Sequence, residues 1–198
     1  GFRNQLINGD FRIWQRGTVI TVTGQNPAVG VYAADRWVTS TPQAGIDTVV
    51  RRRDEVPNGG GYGLRMEGNS QNLHQGVELP STGKAGQFYD GSIWTFSVWC
   101  DQDLTTFTPN IRFSDIAVAN TNQSTVTGVI PFQPTSEPAS NGFTRYSTTF
   151  TINVTPNGTN TCFCVNLAGA TALGVAPIIY SQVQLEPGPV ATPFEHRP

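Results

Sequence analysis

Charge is scarce in this chain. Only 13% of its 198 residues are Asp, Glu, Lys or Arg, and the net charge is −2, where about a quarter charged is usual. Neutralising phosphates requires a basic face, so nucleic acid is excluded as the main partner. The basic cluster Arg51-Arg52-Arg53 is followed at once by Asp54 and Glu55, and it reads as a solvated strand end. Lys84 and Met66 are the sole lysine and methionine. No window carries apolar residues at helical spacing free of Gly and Pro, so helices are expected to be nearly absent. No run approaches the roughly 20 apolar residues of a membrane helix, and no signal-peptide pattern opens the chain. Membrane insertion is therefore not expected.

Reactive side chains are equally few. Three cysteines cannot complete an even disulfide framework. Cys162 and Cys164 in TCFCVNL would share one strand face, in adjacent rows that fit relaxed disulfide geometry poorly. Reduced, partly buried thiols are expected, compatible with assembly in a reducing cytoplasm. Zinc-type ligand spacing is missing, and no metal or cofactor is expected. The histidines are His74 and His196, and His196 lies in the terminal PFEHRP, where no fixed active site is expected. Gly-x-Ser-x-Gly, His-Glu-x-x-His and phosphate-cradling glycine patterns are missing. Two acidic pairs remain, Asp54/Glu55 and Asp101/Asp103. Glycosidases need two carboxylates facing across a substrate. The first pair would point to opposite strand faces and the second lies in a turn-like DQDL, so catalysis is not expected.

What the chain does have is period-two alternation. In RYSTTFTINV, Tyr146, Thr148, Phe150, Ile152 and Val154 share one face. In IWTFSVWC, Trp94, Phe96, Val98 and Cys100 alternate with Ile93, Thr95, Ser97 and Trp99. Phe163, Val165 and Leu167 form a third set. In IIYSQVQLE, Ile179, Val183 and Leu185 are expected inside, with Gln182, Gln184 and Glu186 outside. Turn residues such as Asn58-Gly59-Gly60-Gly61, Asp90-Gly91 and Asn141-Gly142 separate the runs. The polar passages 101–110 and 119–141 read as crossing loops. Short antiparallel strands with one apolar face each need a second sheet to cover that face, which predicts a two-layer sandwich spanning residues 1–198.

A sugar ring presents apolar C–H faces and a hydroxylated rim, so an outward aromatic among polar neighbours is the feature to seek. Trp99 meets it, sharing its face with Thr95 and Ser97. Arg112 and Arg145 would supply polar faces on other strands, while Tyr89, Asp90 and Tyr62 sit at nearby loops. Burial of Trp99 under a loop, or at a subunit interface, is the competing reading. In INGDFRIWQRG, Asp10 can cap the turn after Asn8-Gly9, and Phe11 and Ile13 alternate with Arg12 and Trp14. Arg16 is a plausible partner for Asp35, with Trp37 continuing the packed corner, so this set reads as a structural clamp.

Three stretches, INGDFRIWQRG (residues 7–17), ADRW (34–37) and VQLEPGPVATPFEHRP (183–198), together carry a resemblance. The chain resembles the C-terminal carbohydrate-binding-like domains of bacteriophage and prophage tail fibres. There an NGDF..WQRG start, an ADRW and a QLE.G..ATPFE.RP finish enclose one β-sandwich. The resemblance implies jelly-roll order with the first and last strands adjacent, a homotrimer, and a place on the virion after synthesis in the host cytoplasm. It implies the C-terminal part of a longer virion protein that attaches to host surface polysaccharide without cleaving it. A structural decoration module contacting other virion proteins, and a capsule-degrading enzyme, are the alternatives. Many carbohydrate-binding modules of this shape hold calcium near the paired termini, on carboxylates beside the first-strand Phe and the last-strand Val. Here Arg12 follows Phe11, and Ser181 and Gln182 precede Val183. Calcium favours carboxylate oxygens, so no calcium is expected, and Arg12 is expected to take the cation's role against Gln182 or nearby carbonyls.

Overall fold

The computed structural model describes residues 1–23, 30–40, 47–68, 72–115, 122–175 and 177–198. Within them, the alternating segments become β1 (Val19–Val22), β2 (Gly30–Tyr32), β3 (Val38–Ser40), β4 (Thr48–Arg53), β5 (Gly63–Gly68) and β6 (Asn72–Glu78). They continue as β7 (Ile93–Cys100), β8 (Ile111–Ser114), β9 (Ser124–Thr125), β10 (Gln133–Pro134), β11 (Thr144–Thr151), β12 (Cys162–Ala168) and β13 (Ile178–Pro187). The passage read as a crossing loop over 119–141 contributes the short edge strands β9 and β10; its residues 119–121 lie outside the described residues. One short helix, α1 (Ala170–Leu173), ends on the left-handed Gly174.

Among the described residues, one sheet runs β1-β4-β5-β13-β7-β11-β10 and the other β2-β3-β6-β12-β8-β9. The ladders are antiparallel. From β5 onward the chain passes repeatedly between the sheets, the interleaving that a jelly roll requires. The fold is an all-β, two-layer sandwich. Its interior is a continuous apolar cluster in which Phe88 stacks on Phe163 at 4.2 Å and meets Trp94 at 4.7 Å. Trp94, Phe96, Val98 and Cys100 face inward, as do Tyr146, Phe150, Phe163, Val165 and Leu167.

Two expectations change at the termini. Residues 1–18 do lie beside β13, through Gln5 N–H to the Leu185 carbonyl and Val183 N–H to the Gly9 carbonyl, both 2.8 Å. They carry no strand, however, and the first strand, β1, stands at the sheet edge two strands away from β13. Phe11 cannot belong to an alternating strand because its φ is +51°. The second change lies in β13 itself. A bulge between Ser181 and Gln184, with Gln182 at φ +49°, shifts the inward parity. Ile178 and Tyr180 therefore face the core before the bulge, and Val183 and Leu185 after it. One extra residue exchanges the faces of everything beyond it, which leaves Ile179 only half-buried.

Candidate functional site

The strand faces that alternation marks as outward are covered in part by the chain itself. After β13, residues 188–198 turn back over β7 and β11 as a strap. Thr95 Oγ1 donates to the Gly188 carbonyl at 2.8 Å, Thr149 Oγ1 to Pro189 at 3.2 Å, and Arg145 Nη2 to Thr192 at 2.6 Å. Glu186 and Gln184, expected outside, are buried beneath the strap and hold it. The Glu186 carboxylate accepts from Thr192 N–H at 3.1 Å, Thr192 Oγ1 at 2.5 Å and Gln184 Nε2 at 2.5 Å. Gln184 Oε1 in turn accepts from Glu195 N–H at 2.8 Å.

Where strap, bulge and N-terminal turn meet, a cleft of about 290 Å³ opens. Trp99, Pro193 and Phe194 supply its apolar parts. Asp10, Arg12, Glu137, Arg145, Gln182 and His196 supply its polar ones. The structure thus unites residues read separately from sequence as a ligand face (Trp99, Arg145) and as a clamp (Asp10, Arg12, Gln182).

The polar groups divide into buried and accessible. Buried Asp10 joins two side chains, with Oδ2 at 2.6 Å from Arg12 Nε and Oδ1 at 2.9 Å from His196 Nδ1. Arg12 and His196 remain 51% and 40% exposed at the rim. Arg12 thus finds Asp10 rather than Gln182, whose Nε2 donates to the Pro57 carbonyl at 3.0 Å. His196 is held in place, contrary to the expectation for a terminal residue. Arg145 is 2% exposed and bonds Glu137 at 2.5 Å and Ser97 at 3.1 Å, while its Nε–H is buried without an acceptor. Trp99 is also 2% exposed. It lines the cleft but is not an open stacking platform, because the strap roofs its sheet face.

The other singled-out residues lie elsewhere. Tyr62 is half-buried under the Arg52 guanidinium at 4.3 Å, and its N–H donates to Asp10 O at 2.8 Å. Tyr89 is 61% exposed and Asp90 is exposed too, but neither lines this cleft. Arg112 does not offer an outward polar face. It is buried on β8, bonds Asn110 at 2.9 Å, and lies beside Cys162 and Cys164, with burial pulling its pKa down. Those two thiols are reduced, buried and 3.3 Å apart. The hydrogen bond with Cys162, together with burial, pushes the Cys164 thiol up.

The remaining clamp residues form a second corner. Trp37 Nε1 donates to the Asn8 carbonyl at 3.0 Å, and Trp14 Nε1 donates to Phe11 O at 2.6 Å. Arg16 does not pair with Asp35. It lies over the Tyr32 ring at 4.9 Å, and Asp35 Oδ1 instead accepts from Gln15 N–H at 3.1 Å.

The partners of Asn4, Asn8, Thr192 and Glu195 escaped sequence reading, while alternation places Gln184 and Glu186 on the wrong side of the water boundary. Polar residues in irregular segments carry no periodic signal, and only the tertiary course of the termini gives them partners. Three of the four acidic-pair carboxylates have structural partners. Asp101 Oδ1 accepts from Ile179 N–H at 2.7 Å, Asp103 accepts from Thr105, and Glu55 pairs with Arg53. Asn4 N–H donates to Glu195 Oε2 at 2.9 Å and holds that carboxyl below its usual range. A carboxyl depressed in the folded state stabilises above its unfolded value and loses that contribution as pH falls through the folded one. Tethering of the strap to Asn4 is thus expected to weaken below about pH 4.5, the ordinary value for Glu195. A carboxyl-carbon NMR titration checks this; a Glu195 midpoint at or above that of the denatured chain would refute it.

No protein-family model matches the chain, and no curated protein does. Among solved structures, it is similar to the enzymatically active domain of tailspike protein 4 from bacteriophage CBA120, with TM-score 0.49 and 16% identity over 94% of this chain. The chain spans 22% of that tailspike chain's length. It is also similar to the Stig cyclase Fisc from Fischerella sp. TAU, with TM-score 0.47 and 10% identity over 93% of this chain and 96% of the other. A structure described as CBM4 matches with TM-score 0.33 and 12% identity, over 91% of this chain and 98% of its own. These are likenesses of backbone course, and none assigns this chain an activity.

Proposed function

We propose that this chain is a non-enzymatic virion module, part of a tail fibre, that attaches to host surface polysaccharide through the cleft beside the strap. The observation that carries the reading is the cleft's composition. Apolar surface from Trp99, Pro193 and Phe194 sits beside planar polar groups of Arg12, Asp10, Gln182 and His196. At about 290 Å³ the cleft lies just under the range of about 300–1,000 Å³ usual for small-molecule sites and is more polar than they are, which suits a single hydroxyl-rich sugar unit. The end motifs of a tail-fibre domain build that cleft, since Asp10 and Arg12 come from the first motif and Pro193, Phe194 and His196 from the last. The commitment of Glu55, Asp101 and Asp103 to arginine, backbone and threonine partners supports attachment over cleavage.

The test is binding of the purified chain to host surface polysaccharide by glycan array and calorimetry. Arg12→Ala and His196→Ala are each expected to weaken binding at least about fivefold, roughly 1 kcal/mol, with some fall in Tm because each also partners the buried Asp10. Silence on every glycan, with capture of other virion proteins, would replace attachment by the structural role. Reducing-end release from capsule would make the chain an enzyme. Sedimentation equilibrium tests the homotrimer.

A further inference from the structure

We propose that a second cleft, between the Trp14–Gly17 and Ala34–Trp37 turns, receives the carboxylate of an acidic sugar. It names the polysaccharide class within the attachment reading and rests on that reading. The cleft encloses about 310 Å³ and is lined by Gln15, Arg16, Tyr32, Asp35 and Arg36. Its frame is fixed from within. Asn8 Nδ2 donates to the Ile13 and Asp35 carbonyls at 3.0 and 3.1 Å, and Asp35 N–H donates to Ile13 O at 3.1 Å.

Two arginines without a close carboxylate meet in this cleft; Arg52 and Arg197 also lie over aromatic rings, but neither lines it. Arg12, Arg51, Arg53, Arg65 and Arg145 each have a carboxylate within 3.2 Å. Among the described residues Arg16 has none within ion-pair distance, and Arg36 reaches only the exposed Glu78 at 3.8 Å. Such an exposed, long pair contributes little. The Arg16 guanidinium carbon lies over the Tyr32 ring, 4.9 Å from its centroid. A ring face takes none of the guanidinium N–H groups, so their fork remains for a planar carboxylate.

Arg36 adds an independent observation. Trp37 N–H donates to Ala34 O at 2.9 Å, which closes a turn with Arg36 at its third position and φ at +70°. Glycine or asparagine suits that position, and an arginine there is strained. What the strained residue contributes is a guanidinium at the cleft. Asp35 has already given Oδ1 to Gln15 N–H. Two arginines and one aspartate leave a single positive charge, which matches a monoanionic carboxylate better than a dianionic phosphate.

The experiment is calorimetry of the chain with a glucuronate-containing oligosaccharide, its carboxyl-reduced neutral counterpart, and inorganic phosphate. The acidic oligosaccharide is expected to bind about tenfold more tightly than the neutral one. Arg16→Gln and Arg36→Gly should each remove most of that difference. Arg36→Gly should also melt at the same or a higher temperature, because glycine relaxes the turn, so lost binding cannot be ascribed to misfolding. Equal binding of acidic and neutral oligosaccharides, or an unaffected Arg36→Gly, overturns this cleft while leaving attachment standing. Phosphate competing as well as the acidic sugar would make it a general anion site and overturn the assignment. Failure of every glycan, host polysaccharide included, overturns both proposals.

Discussion

Glu186→Ala is expected to lower Tm by about 6–12 °C, from a loss near 3 kcal/mol in a domain of this size. The carboxylate is 1% exposed and accepts three hydrogen bonds, two of them from Thr192. Bonds to a charged acceptor are worth about 1.5–3 kcal/mol each, and removing it strands Gln184 Nε2 and the Thr192 donors in a poorly hydrated layer. The loss is confined to the strap at first, so limited proteolysis between residues 188 and 198 should accelerate before global unfolding. Trp99 fluorescence should become quenchable at the same time. A variant that melts like the parent, with its strap protected, would show that the strap is held by other contacts.

Gly9→Ala is expected to be worse, costing more than about 3 kcal/mol and driving the chain toward insolubility. A methyl group at residue 9 would be forced into the Val183 carbonyl oxygen and would crowd the Phe194 ring at 3.3 Å. The backbone would have to move apart where Val183 N–H donates to Gly9 O at 2.8 Å. That bond is one of the few joining the irregular N-terminal segment to β13. Its rupture also displaces Asp10, and with it Arg12 and His196. Soluble expression and thermal melting measure the outcome, and a soluble Gly9→Ala that melts within 2 °C of the parent (a change of about 1 kcal/mol or less) would refute the close-approach argument.

The strands that were legible in the sequence are those with one apolar face. Trp94, Phe96 and Val98, or Phe163, Val165 and Leu167, alternate because a pleated strand presents every second residue to the core. The same logic failed at Gln184 and Glu186. Alternation identifies two faces but assumes that the second meets water, and here the chain's own end covers it. It also missed the bulge at Gln182, since a one-residue parity change leaves no mark in composition. Cys162 and Cys164 were legible as adjacent same-face thiols, whereas the burial of Arg112 beside them was not.

The candidate site shows the same division. Trp99 and Arg145 could each be placed on the polar face of its own strand, and the register that sets Arg145 opposite Trp99 comes from the structure. That Asp10, Arg12 and His196 should join them depends on contacts some 186 residues apart in sequence. Arg16 and Asp35 look like partners by charge, yet the Tyr32 ring and the Gln15 N–H are nearer.

Residue pattern by itself determined the class of this protein: strands, two stacked layers, and a surface of amides and hydroxyls with few charges. Local periodicity is enough for that, because each strand's apolar face must be buried whatever its neighbours. Only the tertiary structure decided which polar residues are exposed, because that depends on where the last eleven residues, 188–198, lie. They cross the outward face of β7 and β11, and the polar groups they cover there, Glu186, Gln184 and Arg145, exchange water for the strap's backbone.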